Sequence, residues 1–74
     1  MLNTMYKEPG FVVSEIILEQ EDKFTVKDIL DKVKDKIQNM FETIDKLKSY
    51  IIDKLNSMCE YGLVGKTDLY YFSI

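Results

Sequence analysis

The chain has 74 residues, with thirteen acids against ten bases and a formal net charge of −3. That length allows one domain, and a chain so short buries only about 60% of the surface its unfolded form exposes, so it needs an efficient core or a partner. With no His and a single Cys, Cys59, an intrachain disulfide and a Cys/His zinc site are excluded, while the apolar fraction of 46% suits a globular domain rather than a disordered one.

Residues 1–8 form an N-terminal segment. Met1-Leu2-Asn3-Thr4-Met5-Tyr6-Lys7-Glu8 has no apolar stretch behind a basic one, so no signal peptide is expected. Apolar runs such as Ile16-Ile17-Leu18 are too short to span a membrane. The expectation is a reduced, cytoplasmic setting. Ala, Arg, His and Trp are absent while Lys, Ile, Asp and Tyr abound, a composition that suits an AT-rich genome.

The domain is expected over residues 9–74. Pro9-Gly10 suits a turn or the start of a helix. Behind it Phe11, Val12, Ile16 and Ile17 recur at helical spacings, predicting a first helix over about residues 9–20. Core material includes Phe11, Ile16, Ile17, Leu30, Leu47, Ile51, Leu55 and Leu63. Glu21-Asp22-Lys23 reads as a polar loop.

In Phe24-Thr25-Val26-Lys27-Asp28-Ile29-Leu30, Thr25 can cap a helix and Asp28 stands three residues later, near a capping box. Val26, Ile29, Leu30 and Val33 form one apolar face, predicting a second helix over about 26–36. Phe24 suits a short extended segment or a hydrophobic staple. The break before the third helix is weakly marked, with no Gly or Pro between Ile37 and Glu42. Thr43 is its expected cap, and Ile44, Leu47, Ile51, Leu55 and Met58 form its buried stripe. Gly62 is the stop signal. The period then changes: Leu63-Val64-Gly65 reads as a strand, Lys66-Thr67-Asp68 as a tight turn and Leu69–Ile74 as the returning strand. Leu69, Tyr71 and Ser73 should face one way, and Tyr70, Phe72 and Ile74 the other.

This order makes an α+β domain, three helices followed by a short C-terminal β-hairpin, and it resembles winged helix-turn-helix domains. The residues carrying the resemblance are Phe24–Leu30, then Leu55-Asn56-Ser57-Met58-Cys59-Glu60-Tyr61-Gly62-Leu63-Val64, and the closing Tyr70-Tyr71-Phe72-Ser73-Ile74. The second block looks like the end of a recognition helix running into the first wing strand. The resemblance implies a small transcriptional regulator or mobile-element accessory factor that binds double-stranded DNA, offering its third helix to the major groove. Lys46, Ser49, Tyr50, Lys54 and Asn56 would then meet bases and phosphates, Lys66 would touch backbone from the wing, and Thr25 and Lys27 would lie at a phosphate-accepting helix N-terminus. A homodimer would raise the affinity of so neutral a module, with the apolar first helix as its contact.

Several features point elsewhere. There is no Arg. Residues 1–24 hold two Lys against five acids, and the rest of the chain balances to zero. Asp53 falls in the middle of the presumptive DNA face, where it would repel phosphate unless it accepts from cytosine. The alternative is therefore a winged-helix module for protein–protein contact, an adaptor or small regulatory subunit without DNA binding. Enzymatic chemistry finds no support: no nucleophile has a base partner, and no Gly-rich loop cradles phosphate. No cofactor or metal is expected. Cys59 reads as a small side chain near the core.

Overall fold

The computed structural model describes residues 8–74, so the N-terminal segment expected over 1–8 lies, apart from Glu8, outside the described residues. The first helix, α1, spans Pro9–Leu18, with Pro9 in its first turn, where a missing N–H costs nothing. It stops two residues earlier than its sequence suggests. The Gln20 side-chain amide donates to the Ile16 carbonyl at 2.8 Å and takes up a C-terminal acceptor.

The second helix, α2, covers Val26–Ile37 and opens on a complete capping box. The Thr25 hydroxyl accepts from the Asp28 N–H at 3.2 Å, and the Asp28 carboxylate accepts from the Thr25 N–H at 2.9 Å. A single 3₁₀ turn, Gln38–Met40, and extended Phe41 carry the chain to Thr43. The Thr43 hydroxyl accepts from the Lys46 N–H at 3.1 Å and starts the third helix, α3, over Ile44–Glu60. That helix ends at Gly62, whose φ of +80° an L side chain resists. Leu63 N–H donates to the Met58 carbonyl at 2.9 Å and Gly62 N–H to the Cys59 carbonyl at 3.1 Å, the paired bonds of a Schellman ending.

The chain then forms two short antiparallel strands, β1 (Val64–Lys66) and β2 (Tyr71–Ser73), with Gly65 opposite Phe72. The turn lies one residue later than expected, so Lys66 belongs to the strand. Thr67 closes the turn: its N–H donates to the Tyr70 carbonyl at 2.7 Å and its hydroxyl accepts from the Tyr70 N–H at 3.0 Å. Phe24 is the extended residue expected between the first two helices. Its N–H and carbonyl exchange bonds of 2.9 and 2.8 Å with Tyr71. This bridge places β2 between β1 and Phe24 and ties the hairpin to the helices.

Among the described residues, three α-helices and a C-terminal hairpin give the winged-helix-like α+β layout expected. The core joins Val13 and Ile17 of α1, the bridging Phe24, Ile29, Val33 and Ile37 of α2, Leu47, Ile51, Leu55 and Met58 of α3, and Val64 of β1, with Phe24 lying between α1 and α2. Three residues depart from expectation. Phe11 is 75% exposed, because α1 is apolar almost all round and periodicity alone does not decide which face packs. Leu63 is also exposed, its neighbour Val64 taking the inward position. Ile44 is 43% exposed. It lies on the right stripe but in the first turn of α3, beyond the reach of the core.

Candidate nucleic-acid interface

Burial of Leu47, Ile51, Leu55 and Met58 fixes the rotation of α3. At about 100° per residue, the opposite face presents Asp45, Lys46, Ser49, Asp53, Asn56, Ser57 and Glu60, all exposed. This face holds three carboxylates and one lysine. Its lysine is already engaged, with Lys46 Nζ 3.6 Å from Glu42 Oε1 one turn earlier.

The flank behaves differently. Tyr50 is half-buried, its ring tilted against Phe41 at 5.2 Å between centroids. Its hydroxyl and the Lys54 ammonium both reach Gly10, where an added Cβ would lie 3.3 Å from the Tyr50 oxygen and 3.5 Å from Lys54 Nζ. Tyr50 and Lys54 thus turn toward the start of α1. A shallow hollow of about 570 Å³ gathers Lys46, Ser49 and Tyr50 with Phe41, Thr43, Asp45 and Asp53. Any phosphate entering it meets two carboxylates for one ammonium. Asn56 is exposed but lines neither this hollow nor a smaller one formed by Tyr50, Asp53, Lys54 and Ser57.

The remaining expected contacts lie on other elements. Thr25 spends its hydroxyl in the capping box, and Asp28 already supplies negative charge at the N-terminus of α2. Lys27 Nζ sits 3.0 Å from Asp31 Oδ2, one turn further along α2. On the wing, the Lys66 ammonium lies over the Tyr71 ring at 5.6 Å. Lys23 likewise lies 5.0 Å from the Tyr70 ring. These partners were open to sequence reasoning, since Glu42/Lys46 and Lys27/Asp31 have the i,i+4 spacing of helix ion pairs.

The exposed apolar surface lies on the two elements whose apolar character the sequence shows, the hairpin and the first helix. On the hairpin, Leu69 is 75% and Ile74 79% exposed, with Leu63, Tyr70 and Phe72 also accessible. The Phe72 ring lies flat on Gly65, where a Cβ would strike it. On α1, Phe11 is accompanied by Leu18, which is 51% exposed. On the hairpin, alternation separates Tyr70, Phe72 and Ile74 from Tyr71 and Ser73, whereas on the first helix periodicity alone leaves the packed face open.

No described helix is long and apolar enough to cross a membrane. Comparison of the chain with protein-family models, curated proteins and solved structures finds no match.

Proposed function

We propose that this chain is a winged-helix-like protein-interaction module, an adaptor or small regulatory subunit that contacts a protein rather than duplex DNA. The observation carrying this reading is the hairpin's outer surface, where Leu63, Leu69, Tyr70, Phe72 and Ile74 face solvent. Exposed apolar side chains gathered on one element are the usual mark of a docking surface, whereas single exposed apolar residues are ordinary. DNA affinity, by contrast, rests on cations that neutralise phosphates. The outward face of α3 has more carboxylates than lysines.

A second reading, a DNA-binding regulator, draws support from the exposed Lys46, Ser49 and Asn56 on α3 of a winged-helix-like layout. That support is analogy of fold, which does not by itself carry function. Paired measurements separate the two. The protein-contact reading expects no binding to random-sequence duplex DNA at low salt. The DNA reading expects binding that weakens in both Lys46→Glu and Lys66→Glu.

A further inference from the structure

On α1, Phe11 and Leu18 stand seven residues apart and therefore share a face two turns long. They are 75% and 51% exposed. With Ser14 and Glu15 they line a shallow hollow of about 530 Å³. One flank of this stripe is a row of exposed carboxylates, Glu8, Glu15 and Glu19, and no lysine occurs anywhere between Glu8 and Asp22. Glu21 and Asp22 follow at the helix C-terminus, the end at which the backbone dipole is also negative. The stripe is thus apolar along its middle and negative along one side and at its C-terminal end, with Lys54 of α3 beside Phe11 and Ser14 on the other side.

This charge pattern selects the occupant. A second copy docked antiparallel, the arrangement that pairs Phe11 with Leu18, would set one row of glutamates along the other. Like charges so placed are destabilising. A helix with an apolar stripe flanked by lysine or arginine meets both features at once. We propose that α1 is the docking face for a cationic amphipathic helix of a protein partner, with Phe11 and Leu18 as anchors and Glu8, Glu15 and Glu19 pairing with its basic flank. This rests on the protein-contact reading and adds the chemistry of the partner.

The test uses two labelled synthetic helices with the same leucine stripe, one flanked by lysines and the other by glutamates, titrated against the full chain by fluorescence anisotropy. The lysine helix should bind, more weakly as salt rises, and the glutamate helix should not. Phe11→Ser and Glu15→Lys should each weaken binding about tenfold, equivalent to about 1.4 kcal/mol. Asp68→Lys makes the same charge change on the hairpin and should leave binding within about twofold of wild type, a small fraction of that free energy. Circular dichroism of Phe11→Ser, an exposed position, verifies the fold. Equal binding of both helices, binding of neither, or equal losses in Glu15→Lys and Asp68→Lys would overturn the proposal. A wild-type dimer that Phe11→Ser converts to monomer would overturn it in favour of a second copy. Loss of binding in Leu69→Ser but not Phe11→Ser would move the site to the hairpin and leave the protein-contact reading standing. Tight binding of duplex DNA would remove that reading itself.

Discussion

The Thr25 hydroxyl and the Asp28 carboxylate each take a backbone N–H at the start of α2, where helix geometry leaves such donors without partners. Thr25→Ala is expected to cost about 1 kcal/mol, read as a lower urea midpoint with an unchanged slope. Gly62 holds a φ of +80° at the end of α3, so Gly62→Ala should cost about 1–2 kcal/mol by the same measurement. At the candidate interface, Asp45 and Asp53 border the hollow that contains Lys46 and Ser49. If these carboxylates are what bars phosphate, Asp45→Lys with Asp53→Lys should produce salt-dependent DNA binding stronger than that of the wild-type chain. An unchanged affinity in that double variant would show that the obstacle lies elsewhere on the surface.

The bridge from Phe24 to Tyr71 binds the hairpin to the helices. Phe24 is fully buried, its ring stacked on Tyr71 at 6.0 Å between centroids. Phe24→Ala should therefore cost about 3–5 kcal/mol, a large part of the roughly 5–15 kcal/mol that holds a domain together. Thermal unfolding would show a strongly depressed midpoint or no transition at all. Leu69→Ser, at an exposed turn position of the same hairpin, should change stability by no more than about 0.5 kcal/mol.

Element by element, legibility in the sequence followed the strength of the local chemistry. The ordered polar signals at Thr25/Asp28, Thr43 and Gly62 located one end of α2 and both ends of α3. The end of α1 was less legible because Gln20 terminates it through a side-chain bond to Ile16. In the last strand Tyr71 and Ser73 share the inward side of the alternation, with Ser73 Oγ donating to the Ile17 carbonyl at 3.5 Å, while Leu69, expected beside them, falls in the turn and is 75% exposed. The 3₁₀ turn over Gln38–Met40 and the true position of the hairpin turn carried no Gly or Pro signal, and both were missed.

At the scale of the whole molecule, charge and apolar surface are arranged in separate territories. Five acids precede Lys23 within residues 8–22, and the outward face of α3 adds three more. Acids outnumber lysines on the outward face of α3, and several lysines are held by local partners: Lys27 by Asp31, Lys46 by Glu42 and Lys66 over Tyr71. Exposed helix pairs of this kind contribute only about 0.3–0.5 kcal/mol each, so they do little for stability. Giving up such a partner to reach a phosphate costs no more than that, so what weighs against DNA on the outward face of α3 is its surplus of carboxylates. Lys46, Ser49 and Asn56 were legible as exposed polar positions of α3, whereas Tyr50 and Lys54 are half-buried. Their net electrostatics was not, because it depends on which side chains converge: Tyr50 and Lys54 turn to Gly10, while Asp45 and Asp53 share the hollow with Lys46.

The most direct test of the protein-contact account is a fluorescence-anisotropy titration of the wild-type chain into labelled random-sequence duplex DNA at low salt, repeated as salt is raised. The account predicts no rise in anisotropy even at high protein concentration. Binding whose logarithm falls linearly with the logarithm of salt would contradict it, and the slope would count the phosphates neutralised.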